Sequence, residues 1–575
     1  MKQAAAISPG RLFNAAVDVY EQGDVPRALQ MLEDILHAHP GHSGALFMSG
    51  SLLLARGQAA SALPRLTAAA QQLPDNGEVL QTLGDAYFQL ERWQDAASIY
   101  GAALQAKRRN PGLLNNLGMA LHELGDLDGA IVTYRDGLSL APDDADLHNN
   151  LANALNSRHD YAAAMAAYQR AAELNPDNPS IWSNLAMLYE QSNMLEEAQE
   201  AVGRGLKLMP DLAHLQLIAA RYERRQGDLA AGVARLKAQL ARGDLSPKVR
   251  RTMEFELGRM YDAQGEVDSA YSHFLIGNRL TDEVWPTQRA SADEFMSELR
   301  RRKAFFDSGV ALDWAASPLE TRGGPVFLVG FARSGTTLLD TMLSAHPDVD
   351  VLEEQPMLNV VIAEIQRLTG SYPEGLAALD PAQIIKLREL YWRGAESRLS
   401  GTPRKLLLDK NPFASAHAGL IKFIFPSARF IFALRHPCDV VLSCFMQGFG
   451  DNPALGNFRD LQSGAELYRL VMDLWNQSQR FGLDVHVTRY EALVDDKEGE
   501  LRGLLEFLGL SWEEGMQDHT HQARKRGRIY TPSYHQVVRP VYRDALARWQ
   551  RYRKYYGEAL EILGPYVKDF DYSLD

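Results

Sequence analysis

The chain has 575 residues, 46% of them hydrophobic and 23% charged, with a formal net charge of −13. That length exceeds one ordinary core and that balance excludes a disordered chain, so two or more globular domains are expected. The acidity is uneven. Residues 1–320 hold 30 Lys+Arg against 41 Asp+Glu, and residues 321–575 hold 30 against 32; an acidic first half argues against a nucleic-acid partner, because a phosphate backbone needs a basic face.

The first ten residues lack a sustained apolar core, so no secretory leader is expected. No run of about 18 uncharged apolar residues predicts a membrane span. The two cysteines, Cys438 and Cys444, fall on one expected helix and read as reduced thiols, which places the chain in the cytoplasm as an expectation.

Self-similarity decides the fold of the first half. From Pro111 onward, small or apolar residues fall at Leu117, Gly118, Leu121, Ala130, Tyr134 and Gly137, closing with Pro142. A shift of 34 residues returns Leu151, Ala152, Leu155, Ala164, Tyr168, Ala171 and Pro176. A second shift returns Leu185, Ala186, Tyr189, Ala198, Val202, Gly205 and Pro210. One period earlier stand Leu83, Gly84, Tyr87, Ala96, Tyr100 and Ala103, with Arg108 in the proline slot. The small residue of a first helix lets a second approach, the aromatic is expected to fill the gap to the next hairpin, and the proline begins a turn it cannot continue as helix.

This pattern resembles the tetratricopeptide repeat (TPR) family over roughly residues 11–282, with weaker copies from Arg11, Ala45, Ala213 and Lys248. The resemblance implies an α solenoid over residues 1–282 with a concave face that binds peptides or proteins. Dimerisation of the chain, as a homodimer, or support of an attached enzyme stays equally open. Residues 283–322 are expected to link the halves through a helix from Ala292 to Phe306. Its basic run, Arg300-Arg301-Arg302-Lys303, reads as a solvated face. Arg322-Gly323-Gly324-Pro325 then breaks the chain, and a second domain is expected over 323–575.

That domain opens with Val326-Phe327-Leu328-Val329, an apolar run suited to a buried parallel strand. It leads through Gly330-Phe331-Ala332-Arg333-Ser334-Gly335-Thr336-Thr337 into an amphipathic helix, Leu338 to Ala345. Strand, glycine-bearing turn and helix start form an anion site, where backbone N–H groups and the helix dipole favour negative charge. A nucleoside-triphosphate loop would need lysine after Gly335, and Thr336 stands there. A second buried strand, Arg429 to Leu434, is followed by Arg435 and by a helix, Pro437 to Gln447, that presents Ser443. An arginine at a strand end and a serine two turns into the next helix can grip one phosphate together. Lys410 follows the apolar strand Leu406-Leu407-Leu408.

Arg-Ser-Gly-Thr-Thr after a strand resembles the 5′-phosphosulfate loop of sulfotransferases that use 3′-phosphoadenosine-5′-phosphosulfate (PAPS). Arg435 with Ser443 resembles their 3′-phosphate site. The tyrosylprotein sulfotransferases share more of residues 326–549: Ala345-His346-Pro347-Asp348-Val349, Glu353-Glu354, Asp409-Lys410-Asn411-Pro412-Phe413, Tyr490-Glu491-Ala492-Leu493-Val494, Ser533, Gln536 to Val541 and Ala545 to Trp549. The resemblance implies a parallel-sheet α/β domain related to P-loop folds, with PAPS as donor and PAP as product. It implies donor contacts at Arg333, Ser334, Gly335, Thr336, Thr337, Arg435, Ser443, Tyr490, Ser533 and Arg548. It also implies Glu354 as catalytic base, with Arg333, Lys410 and Ser533 stabilising the transferring sulfonate.

Two positions depart from that family: Gln447 replaces an arginine that assists the 3′-phosphate site, and Arg548 stands for lysine. The family's lumenal disulfides and membrane anchor are absent from this sequence. Glu353-Glu354 would otherwise read as a solvated charge pair, and His346 and His436 as structural residues beside turns. The cluster Arg524-Lys525-Arg526-Gly527-Arg528 reads equally as a phosphate cover or as a solvated loop. No His/Cys spacing suggests a metal. The expected function is transfer of a sulfuryl group from PAPS to a hydroxyl acceptor, with a peptide or protein tyrosine first, and the repeats holding the acceptor. A glycan or small-metabolite acceptor, or a scaffold with an inactive sulfotransferase domain, are the alternatives.

Overall fold

The computed structural model describes residues 8–106, 110–309, 320, 322–399, 404–516, 520 and 545–575. The chain divides into two compact units, with the division between Ile218 and Ala219.

The first unit is a succession of antiparallel helix pairs: α1 (Pro9–Glu21) with α2 (Val25–Ala38), α3 (Ser43–Ala55) with α4 (Ala59–Gln72), and α5 (Gly77–Gln89) with α6 (Trp93–Ala106). Then come α7 (Pro111–Glu123) with α8 (Leu127–Leu140), α9 (Ala145–Ser157) with α10 (Tyr161–Leu174), and α11 (Pro179–Gln191) with α12 (Leu195–Leu208). Asn110, Asp126, Asp144, Asp160 and Asn178 each accept from a first-turn backbone N–H, which fixes where these helices start.

The repeat's aromatic does something different from the sequence expectation. A Cβ built on Gly84 would lie 2.5 Å from the Tyr100 ring, and one on Gly118 2.5 Å from Tyr134. The aromatic therefore seats on the small residue of its own hairpin. The gap to the next hairpin is closed elsewhere, by Leu147 against Gly137. His148, Trp182 and Gln216, one period apart, each hydrogen-bond through a side-chain nitrogen to the carbonyl of Pro142, Pro176 and Pro210 at 2.8, 2.7 and 2.6 Å.

In the second unit, α13 (Ala213–Gln226, which begins before the division), α14 (Leu229–Leu240), α15 (Pro247–Gln264), α16 (Val267–Arg279), α17 (Thr281–Val284) and α18 (Gln288–Asp307) precede an α/β sheet. The small–aromatic pairing recurs as Gly258 under Phe274. The basic run on α18 is only partly a solvated face. Arg302 is buried and bonds the Ala416 carbonyl and His417 Nε2, because α18 packs against the sheet domain rather than standing in solvent.

The sheet strands are β1 (Val326–Gly330), β2 (Val349–Glu353), β3 (Leu406–Lys410), β4 (Arg429–Leu434) and β5 (Asp484–Arg489), all parallel, in the order β2-β3-β1-β4-β5. Helices α19 (Thr336–Leu343), α20 (Met357–Thr369), α21 (Pro381–Glu396), α22 (Ala418–Ile424) and α23 (Pro437–Phe445) make the crossovers up to β4 and its following turn. They are followed by α24 (Leu461–Gln479), α25 (Tyr490–Asp495), α26 (Lys497–Leu508), a 3₁₀ turn (Arg548–Tyr555) and α27 (Glu558–Asp569). Central β1 is buried at every residue, as a strand covered on both faces must be. The Phe432 ring stacks on Trp475 at 4.4 Å and pins α24 to one face. Among the described residues, no helix is long and apolar enough to cross a membrane.

Gly118→Leu should overpack its hairpin and lower the stability of the first unit by about 1–3 kcal/mol. Tyr134→Ala should cost about 3–5 kcal/mol through the cavity it leaves. Urea denaturation followed by circular dichroism tests both, and a first transition unmoved by either change would refute the pairing.

Candidate active site

Every strand delivers a polar group to one end of the sheet, the carboxyl end where open α/β folds bind ligands. After β1 comes the turn Phe331–Gly335; after β2, Glu353 and Glu354; at the end of β3, Lys410; after β4, Arg435; after β5, Tyr490.

The first turn is held by Ser334, whose Oγ donates to the Phe331 carbonyl at 2.7 Å. Gly330 and Gly335 have φ of 154° and 100°, and Arg333 is left-handed at 70°. A Cβ on Gly330 would meet the Ala433 carbonyl oxygen at 2.4 Å, and one on Gly335 would meet Tyr490 at 2.9 Å. Only glycine fits these two positions. Thr336 and Thr337 open α19 directly after the left-handed Gly335, and a helix start of this kind favours an anion.

The turn after β4 closes on the first. Arg435 Nη1 donates to the Arg333 carbonyl at 3.2 Å, and its guanidinium lies over the Tyr490 ring at 4.9 Å. Arg333 Nε in turn donates to Ser443 Oγ on α23 at 3.2 Å. Arg435 Nη2 is taken by the Ala545 carbonyl at 2.6 Å. Arg435 is only 6% exposed, yet its Nε is buried without a hydrogen-bond partner among the described residues. A buried guanidinium N–H is costly to leave unmade, and an oxygen of a bound anion would satisfy it. The residues present fit a phosphate there.

Lys410 lies at the other side of the turn. Its ammonium is fully buried, 2.8 Å from Glu354 Oε1, 3.4 Å from Glu353 Oε1 and 3.4 Å from Asp340 Oδ2. Burial alone would lower its pKa, but Asp340, Glu354 and Glu353 outweigh that and hold it above the ordinary value. Glu354 is half-exposed, and its backbone N–H bonds the Lys410 carbonyl at 2.8 Å. It sits at φ 49°, a left-handed conformation that costs a non-glycine residue roughly 1–2 kcal/mol. That conformation follows directly on the last residue of β2, and the carboxylate meets the Lys410 ammonium.

Among the described residues the expected ones converge, except Arg548. Arg548 pairs with Asp262 of α15, Oδ1 at 3.3 Å from Nε. Ser533 and the cluster 524–528 lie outside the described residues. Gln447 lies just beyond α23, its backbone N–H bonded to the Cys444 carbonyl at 3.0 Å. His346 and His436 serve structure: each accepts a local backbone N–H at Nδ1 and bonds a distant carbonyl through Nε2, His346 that of Ser511 and His436 that of Ser573.

Sequence reasoning missed Asp340, fully buried beside Lys410, although a lone carboxylate in the apolar helix Thr336–Leu343 is itself a signal. It missed Asp439, which accepts the Trp549 N–H at 2.9 Å, and Glu491, which accepts the His436 N–H at 3.0 Å. Among the described residues no group of three or more His, Cys, Asp or Glu side chains is arranged to hold a metal ion.

Comparison with known proteins bears on this site directly. A family model described as "Sulfotransferase family" matches residues 325–514, which span β1 to the segment after α26. Models described as "Tetratricopeptide repeat" and "TPR repeat" match residues 53–100, 155–222 and 118–157. The α/β domain is a sulfotransferase-family domain, and the helix pairs are tetratricopeptide repeats.

The sulfotransferase domain is similar to Protein-tyrosine sulfotransferase 1 of Danio rerio, 29% identical over 242 residues, covering 39% of this chain and 65% of that protein. Protein-tyrosine sulfotransferase 1 of Homo sapiens is 29% identical over 246 residues, covering 39% and 62%. An uncharacterized protein of Aquifex aeolicus is 27% identical over 336 residues, 55% of this chain and 42% of that protein. The chain thus spans about two-fifths to two-thirds of the length of these relatives. Among solved structures, a tetratricopeptide repeat protein from Parabacteroides merdae aligns with a TM-score of 0.38 at 15% identity, covering 43% of this chain and 98% of that one.

Behind the site, burial pushes the Asp409 carboxyl up to about 7, only partly offset by the Tyr391 hydroxyl at 2.7 Å. The folded value lies above the ordinary 3.8, so the folded state retains a proton that the unfolded state releases. That contribution is full below the ordinary value and is lost as pH rises to about 7. Asp409→Asn should therefore gain stability relative to the parent between about pH 5 and pH 8. Denaturation of both proteins at the two pH values checks this; a pH-independent difference would contradict the assignment.

Proposed function

We propose that this protein transfers the sulfuryl group of PAPS to a hydroxyl of a polypeptide, tyrosine foremost, and that the tetratricopeptide repeats hold the acceptor chain. The observation that carries the donor assignment is the meeting of the two turns, Arg435 on the Arg333 carbonyl and Arg333 on Ser443, with the buried Arg435 Nε lacking a hydrogen-bond partner among the described residues. Arg435 and Ser443 would hold the 3′-phosphate, and the Ser334–Thr337 backbone with the start of α19 would hold the 5′ end. Tyr490, wedged between Gly335 and Arg435, would set the distance between them.

The donor supplies an activated sulfuryl group whose leaving group is a phosphate oxygen. Glu354 at the crevice mouth takes the acceptor hydroxyl's proton as the acceptor oxygen bonds sulfur and the bond from sulfur to the 5′-phosphate breaks. Lys410, held by Glu354, Glu353 and Asp340, would keep Glu354 in place and set a fixed positive charge near the bridging oxygen as charge grows there. Arg333 can swing from Ser443 to the same charge. These interactions are stronger in the transition state than in the bound donor, which is what raises turnover.

Two findings favour a polypeptide acceptor: the similarity to two proteins named for tyrosine sulfation, and a row of side-chain amides in the repeats. Asn150 Nδ2 donates to Asn115 Oδ1 at 2.9 Å and Asn184 Nδ2 to Asn149 Oδ1 at 3.0 Å. Amides carry both a donor and an acceptor, the complement of a peptide backbone.

Glu354→Gln should lower turnover by about 10²–10⁴-fold while PAP affinity is retained. Labelled PAPS offered with tyrosine-containing peptides tests the acceptor, and transfer confined to sugars or lipids would reject it. Calorimetry with PAP and adenosine 5′-phosphate tests the donor; equal affinities would reject the 3′-phosphate site.

A further inference from the structure

The helix pair α15–α16 does more than end the repeat array. Asp262, near the C-terminus of α15, is buried and accepts from three side chains of the single 3₁₀ turn Arg548–Tyr555: Arg548 Nε at 3.3 Å, Arg551 Nη2 at 3.3 Å and the Tyr552 hydroxyl at 2.7 Å. Asp268, in the first turn of α16, accepts from Lys554 and the Tyr555 hydroxyl. Tyr271 stacks flat on Tyr555 at 3.8 Å.

The turn so held is the one that braces Arg435. Ala547, at its start, has φ 51°, a conformation that persists only where neighbours impose it. Two residues earlier, the Ala545 carbonyl takes Arg435 Nη2. One residue into the turn, the Trp549 N–H bonds Asp439, and the Trp549 ring stacks on His436 at 5.1 Å.

The same helix pair also grips the far end of α23, which carries Ser443. Asn278 Nδ2 donates to the Phe445 carbonyl at 2.8 Å, Arg251 Nη2 to the Phe449 carbonyl at 2.7 Å, and Tyr271 stacks on Phe445 at 5.2 Å. Two separate chains of contact thus run from one hairpin to the two ligands of one phosphate.

We propose that α15–α16 is a positioning element of the donor's 3′-phosphate site and that Asp262 is its principal positioning residue, acting on Arg435 through the Arg548–Tyr555 turn. This rests on the reading of Arg435 and Ser443 as the 3′-phosphate ligands. Asp262 touches no substrate. Its loss lets the turn slide, the Ala545 carbonyl leaves Arg435, and the guanidinium loses the orientation that this bond gives it. Arg435 also holds the Arg333 carbonyl, but the Ser334 bond to Phe331 and the pairing of β1 keep the 5′ loop in place, so the defect falls mainly on the 3′ end.

The test is calorimetry on the full chain with PAP and with adenosine 5′-phosphate, which lacks the 3′ group. Asp262→Ala should lower PAP affinity by about tenfold, the loss of one hydrogen bond to a charged group, and leave adenosine 5′-phosphate within about twofold. General damage to the fold would weaken both ligands alike. Equal losses, or an unchanged PAP affinity, would overturn the proposal. Tyr552→Phe keeps the ring and removes one bond to Asp262, so it serves if Asp262→Ala does not fold; a few-fold selective loss is expected, and none would be contrary. Arg435→Ala is measured in parallel. If it abolishes the preference for PAP while both other variants keep it, only this inference fails. If it too keeps the preference, the donor-site reading fails and takes the inference with it.

Discussion

Because Arg435 donates to the carbonyl of Arg333, the turns that follow β1 and β4 become two walls of one crevice rather than two separate loop ends. The pairing of β1 with β4 brings the turns side by side, from Val326 opposite Arg429 to Gly330 opposite Ala433. The guanidinium then sets their separation, with the Tyr490 ring as spacer. Remove the strand pairing and the arginine is a surface charge. Remove the arginine and the two turns lose the bond that ties the Arg333 carbonyl across to the other strand's end.

Charge at the opposite wall follows a different logic. Three carboxylates surround Lys410, so the cluster is net negative before anything binds. A buried ammonium shared among several acceptors is held in place but is not saturated by any one of them. Such an arrangement keeps the buried lysine charged while leaving Glu354 half-exposed. Asp340 and Glu353 fix the cation so that Glu354 is not its sole partner.

Much of this was legible in the sequence. The 34-residue period marks the helix pairs, the apolar runs mark β1, β3 and β4, and Arg435 with Ser443 marks the second turn, because each signal is local. What stayed hidden is long-range. Asp262 meets Arg548 across 286 residues, and no periodicity connects them. Arg302 looked like one member of a solvated basic run because the run says nothing about which side of α18 meets the sheet. The aromatic of each repeat was expected against the next hairpin and instead seats within its own, a choice made by three-dimensional packing that spacing alone does not decide.

The bond from Arg435 to Ala545 joins residues 110 apart in the chain. During synthesis the repeats emerge first and the sheet strands next, and β1 to β5 can assemble while residue 545 is still unmade. A ribosome-bound chain at that stage has the turns after β1 and β4 but lacks the carbonyl that orients the guanidinium. The setting of Arg435 is therefore completed only near the end of synthesis, after the repeats and every strand have been made.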